Sequence, residues 1–214
     1  MKHFQTPMLQ STSRRRWTMY LVTLVGACLA MLPPGLYAHD LTPPPVPPKL
    51  EVPAGHRPFL LGHASGTQNY ICLPTKANSD FAWTLFGPQA TLFNDYGVQI
   101  ITHFLSPNPE ENGTARATWQ HSRDTSTVWA IRIESSSDPA FVKLGAIPWL
   151  LLEVVGADRG PTGGQRLTET THIQRVHTLG GLEPPTDCTP ANVGQQALVP
   201  YTADYIFYKA TGQE

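Results

Sequence analysis

The 214-residue chain balances 15 Lys and Arg against 16 Asp and Glu. All four charges in the first 38 residues are basic (Lys2 and Arg14 to Arg16), so the remainder carries 11 against 16, a net charge of −5. That acidic balance excludes a nucleic-acid partner, which needs clustered cations to neutralise phosphates, and no run of like charge beyond residue 38 offers a membrane-binding face.

The chain opens on the parts of an export signal. Arg14-Arg15-Arg16 precede an apolar run from Trp17 to Leu32, and Leu36-Tyr37-Ala38 supplies a small residue at the cut. Ser13-Arg14-Arg15 also permits a twin-arginine reading, which leaves the export route open. Cleavage after Ala38 would leave 176 residues, one ordinary domain beginning at His39. No membrane span is expected after cleavage, and the predicted location is periplasmic or extracellular.

Cys28 lies in the signal, so Cys72 and Cys188 remain as an even pair in an oxidising compartment, and one disulfide between them is expected. Residues 39–50 place five prolines in the six positions 43–48, a composition that reads as an extended spacer ahead of the domain.

From residue 51 to 210, followed by a tail at 211–214, helix periodicity is nearly absent and strand signals are frequent. Val128 to Glu134 alternates, with Trp129, Ile131 and Ile133 on one face, and Tyr201, Ala203, Tyr205 and Phe207 alternate with polar neighbours. Further strands are predicted at 58–62, 67–73, 82–86, 98–105, 114–120, 147–155 and 170–178. Turn formers such as Ala64-Ser65-Gly66 and Asn94-Asp95-Tyr96-Gly97 separate them. The run Ile147 to Val155 lacks alternation, so it is either a strand buried on both faces or a short buried helix. About nine short strands make an all-β single domain, a β-sandwich or a closed barrel.

Several blocks have a familiar order. Gly66-x-Gln68-x-Tyr70-x-Cys72, Pro88-x-Ala90-x-Leu92, His103-Phe104 and Asp124-x-Ser126-x-Val128-Trp129 are followed by Ile147-Pro148-Trp149-Leu150-Leu151. Ile173-Gln174-Arg175-Val176-x-Thr178-x-Gly180-Gly181, Cys188 and Pro200-Tyr201-x-Ala203-Asp204-Tyr205-x-Phe207-Tyr208 complete the series. The pattern resembles a family of exported bacterial and fungal proteins catalogued only as a domain of unknown function. The resemblance implies family membership across nearly the whole domain and carries over no reaction or ligand. Relatives often have Asn where this chain has His177, which argues against an essential proton-transfer role there.

Signatures of familiar enzymes are missing. Gly62-His63-Ala64-Ser65-Gly66 does not have the spacing of a nucleophile elbow, and Gly160-Pro161-Thr162-Gly163-Gly164 lacks the Lys-Ser/Thr of a phosphate loop. His39 at a mature N-terminus has the chemistry to chelate copper with a second histidine. A proline arm gives it no packed surroundings to hold that geometry, so neither a metal nor a cofactor is expected. The candidate ligand site is His103, Trp119, Asp124 and Arg175. His103 and Asp124 offer an imidazole and a carboxylate, and Trp119, flanked by Thr118, Gln120 and His121, is the tryptophan expected at a surface. Trp83, Trp129 and Trp149 are assigned to the core. Three functions follow in order: a non-enzymatic binding domain for cell-wall or extracellular glycan, a secreted hydrolase using His103 and Asp124, or a structural envelope protein without a small ligand.

Overall fold

The computed structural model describes residues 41–75 and 80–212. The export signal and His39 lie outside the described residues. Eight strands follow one another: β1 (His56–Pro74), β2 (Phe81–Phe93), β3 (Gln99–Asn108), β4 (Thr114–His121), β5 (Thr127–Ser136), β6 (Trp149–Asp158), β7 (Thr170–Gly180) and β8 (Gln196–Ala210). Each pairs antiparallel with the next, and β8 returns to pair with β1, closing the sheet into a barrel. Of the two predicted architectures, the closed barrel is the one formed. Closure leaves no open sheet edge to template aggregation.

The count is eight because the strands predicted at 58–62 and 67–73 are one. Ala64-Ser65-Gly66 is no turn: Gly66 sits in mid-strand, opposite Ala90 on one side and Tyr201 on the other. A Cβ at Gly66 would lie 2.1 Å from the Gln89 carbonyl oxygen and 2.5 Å from the Ala90 Cα. Glycine there allows close backbone approach rather than a reversal of the chain.

The interior is filled at one end by Leu92, Ile101, Val128, Leu167, Ile173 and Phe207. A second core lies against the outer face of β6 to β8, where Leu50, Val142, Trp149, Leu151, Val176, Ile206 and Tyr208 pack together. This explains the run without alternation, which is strand β6 and not a helix. Leu152 joins the inner core and Leu151 the outer one.

The outer core also corrects the proline spacer. Leu41, Val46 and Val52 pack against it, and Leu50 is fully buried. The Gln174 side chain donates to the Leu50 carbonyl oxygen at 2.7 Å, and the Tyr208 hydroxyl donates in turn to Gln174. Proline stiffness here lowers the entropy cost of laying an irregular segment along the barrel.

Cys72 and Cys188 form the expected disulfide, with Cα atoms 5.5 Å apart across 116 residues of sequence. It ties the end of β1 to the loop before β8. Trp129 and Trp149 are buried as assigned, whereas Trp83 is half-buried and donates its indole N–H to the Thr186 carbonyl at 2.7 Å.

Candidate functional site: a cavity in the barrel mouth

Opposite the packed end the interior is not filled. A cavity of about 610 Å³ opens there, within the range of small-molecule sites. Alternation along the strands decides who lines it. Gln68 and Tyr70 come from β1, His103 and Leu105 from β3, Trp119 from β4, Leu150 from β6, and Arg175 and Tyr205 from the paired strands β7 and β8.

Three of the four expected site residues, His103, Trp119 and Arg175, therefore meet around one cavity. Asp124 does not line it. Its carboxylate accepts from the Ser126 hydroxyl at 2.6 Å and from the backbone N–H groups of Gln165 and Arg166 at 3.0 and 2.8 Å. Against the burial that raises it, these bonds lower the Asp124 pKa to about 2. Asp124 fastens the β4–β5 turn to the loop before β7, a structural task. His103 bonds elsewhere, so the expected imidazole–carboxylate pair does not form.

Trp119 is not at the surface either. It is 1% exposed, stacked on His103 with ring centroids 4.1 Å apart and 10° between planes, and set edge-on to Tyr205 and Phe207. The polar neighbours Thr118 and Gln120 mark the opposite face of β4, because successive side chains on a strand point opposite ways. Trp119, expected at a surface, is instead a buried side chain of the inner core that also borders the cavity.

His103 donates from Nδ1 to the Thr118 carbonyl oxygen at 2.8 Å, which leaves Nε2 as an acceptor. Complete burial lowers its pKa to about 3, with the Arg175 charge pushing the same way, so the ring is neutral at physiological pH. Tyr201 and Tyr205 share a hydrogen bond of 3.2 Å between hydroxyls, and burial raises the Tyr201 hydroxyl out of the titrating range.

Two donors in this wall have no partner. The Trp119 indole N–H and the Gln68 side-chain amide N–H are buried without an acceptor in hydrogen-bond geometry, as is the Trp149 indole N–H in the outer core. The Gln68 side chain nonetheless lies near enough to the Tyr201 hydroxyl to favour its ionised form. Gln68, itself 3% exposed, was not among the expected site residues, although it falls within the strand predicted at 67–73 on the same face as Tyr70 and Cys72. Read as one strand, the motif puts Gly66, Gln68, Tyr70 and Cys72 on a single face, and that is the signal that exposes Gln68.

Arg175 spends Nε and Nη2 on the Pro148 carbonyl oxygen, at 3.3 and 2.9 Å. Among the described residues no carboxylate lies within ion-pair distance of it. It does not act as the ion-pair partner that a strand arginine usually is. The cavity wall also includes Arg116 and Arg132 at its edge, and it contains no Asp or Glu.

The model for a protein family of unknown function, DUF3455, matches residues 53–209. The chain belongs to this family. No curated protein and no solved structure shows significant similarity to it. Several motif residues that carry the resemblance, among them Gln68, Tyr70, His103, Ile147, Arg175 and Tyr205, line the cavity of this DUF3455 domain. His177 is different: it lies on the outside in a left-handed backbone conformation, φ 50°. Asn adopts that region more readily than most residues, so a His-to-Asn exchange meets a backbone requirement and needs no catalytic explanation.

Proposed function

We propose that the protein is an exported, non-enzymatic binding domain that holds a small ligand in the mouth of its barrel. The observation that carries this reading is the unfilled cavity of about 610 Å³, into whose wall Arg175 is set with only the neutral Pro148 carbonyl as its partner among the described residues. A buried donor without a partner costs about 1–3 kcal/mol, and such groups in native proteins are few. Of three such donors among the described residues, Trp119 Nε1 and Gln68 Nε2 belong to lining residues and Trp149 Nε1 to the outer core, so the first two support the reading without carrying it.

The lining favours binding over hydrolysis. It contains no Ser, Thr, Cys, Asp or Glu, so it supplies neither an alkyl hydroxyl or thiol nucleophile nor a carboxylate base. Its phenol hydroxyls, Tyr70 and Tyr205, are bonded to the Gly181 carbonyl and the Tyr201 hydroxyl. It also moves the ligand away from glycan, because the wall combines Leu, Ile, Pro and Ala with donors and lacks the carboxylates and paired amides that hold sugar hydroxyls. Export is supported by the signal-like leader and by the Cys72–Cys188 disulfide, which suits an oxidising compartment.

The test is a thermal-shift screen of the purified, oxidised protein against glycans, neutral lipids, carboxylates and metal ions. A ligand of the native state raises the melting temperature, and Trp119→Phe or Gln68→Leu should reduce that rise. If no class of small molecule stabilises the protein, the structural-barrel reading replaces this one. N-terminal sequencing of the protein is expected to begin at His39, and a start at Met1 overturns export by this signal.

A further inference from the structure

We propose that the ligand is an amphipathic carboxylate, bound with its anionic head inward against Arg175 and its apolar body toward the mouth. This rests on the reading of the barrel mouth as a ligand cavity and names the chemistry that the cavity selects.

Four observations converge. The domain is net acidic, yet no carboxylate lines the cavity. Of its three arginines, Arg116 is paired with Glu111 and Arg132 is exposed, which leaves Arg175 as the half-buried cation of the wall. Arg175 stands in the ladder between Leu150 and Tyr205, which also line the cavity. There it has only a neutral carbonyl as partner. Two further lining residues, Trp119 and Gln68, carry side-chain donors, as an oxyanion requires. The rim is apolar: Leu85, Leu105 and Leu182 line the cavity while remaining 50%, 41% and 45% exposed. A neutral polar ligand would leave the Arg175 charge uncompensated, and a purely apolar one would bury it along with the two free donors. An anion with an apolar tail satisfies all three groups and covers the rim leucines.

The experiment compares decanoate with decan-1-ol by isothermal titration to the purified, oxidised protein. The two share a chain of carbons and differ in the charge of the head. Decanoate is expected to bind about tenfold to a hundredfold more tightly, the range for a hydrogen bond to a charged group. Acetate, which lacks the tail, is expected to bind weakly. Arg175→Met should remove the preference for the acid while retaining the alcohol, and retained alcohol binding shows that the variant is folded. Should Arg175→Met fail to fold through loss of its bond to Pro148, Gln68→Leu removes a donor from a different strand and should also narrow the preference.

Equal binding of acid and alcohol overturns the carboxylate and leaves the cavity reading standing. Preference for the acid that survives in Arg175→Met overturns the assignment of the head to that residue. Binding of neither overturns the amphipathic carboxylate, and the cavity reading is then decided by the thermal-shift screen.

Discussion

The two ends of the barrel are built from the same eight strands and differ in what those strands send inward. At the closed end Leu92, Ile101, Val128, Leu167, Ile173 and Phe207 fill the lumen with apolar side chains that pack on one another and, through Phe207, on Trp119. At the open end Gln68, His103, Trp119, Arg175 and Tyr205 bring polar atoms inward, and the space between them is not filled. The closed end is built for stability. The open end retains unmade hydrogen bonds and an unpaired charge, and each lowers stability unless something binds there. An eight-stranded barrel is just wide enough either to fill with side chains or to hold one small ligand, and this one is filled at one level and leaves a cavity at the other.

Substitutions at the two ends should separate these roles, and the largest effect belongs to the closed end. Phe207→Ala empties a fully buried volume and is expected to cost about 3–5 kcal/mol in urea melts. A loss below about 1 kcal/mol would mean that the closed end repacks freely and that the contrast between ends is weak.

The disulfide comes next. Replacing Cys72 and Cys188 together by Ser is expected to cost about 2–4 kcal/mol, chiefly by freeing the unfolded chain. The cost should appear in the same melts and vanish when wild type and variant are compared under reducing conditions.

At the open end, Gln68→Leu is expected to change stability by less than about 1 kcal/mol, or to raise it, because it removes a buried amide that has no partner. The same change should weaken ligand binding. A destabilisation as large as that of Phe207→Ala would make Gln68 part of the packed core and end the distinction between the two regions.

The smallest effect is read in pH and sets an inner histidine against an outer one. His103 has its pKa lowered from 6.5 to about 3 by burial, so the unfolded chain binds its proton first. Its contribution to stability is full above about 6.5 and is lost as pH falls toward about 3. His63, on the outer surface, bonds Asp95 at 2.9 Å and Asp204 at 2.6 Å. The bond to Asp95 leads the causes that raise its pKa above 6.5, against some loss to burial. Its contribution is present below 6.5 and fades as pH rises through the raised value. Urea melts of His103→Gln and His63→Gln across this range should therefore diverge from wild type on opposite sides of about pH 6.5. Parallel curves would show that neither histidine differs between folded and unfolded states.

Much of the fold was legible along the chain. Alternation at Tyr201, Ala203, Tyr205 and Phe207 assigned a strand with its inner face, and an even cysteine pair assigned the disulfide. Gly66 was misread because close approach of two strands and a tight turn both call for a residue without a side chain. The spacer was misread because proline excludes helix and central strand but says nothing about whether the segment docks. Of the site, His103, Trp119 and Arg175 were legible as chemistry. Asp124 was drawn in by proximity to Trp119 in the chain, although its carboxylate serves the backbone of residues 165 and 166.

What the chain determined by itself was local: strands, their two alternating faces and the pairing of two cysteines, because alternation with period two and the count of residue types need no partner. Closure, and with it the cavity, was decided only in three dimensions. Arg175 follows Gln174 on β7, and one faces the cavity while the other faces the outer core. The period assigns them to opposite faces without saying which face is the lumen. That depends on β8 returning to β1, a contact between the start and the end of the domain. Only then do Gln68, His103, Trp119 and Arg175, spread over more than a hundred residues, come to line one wall.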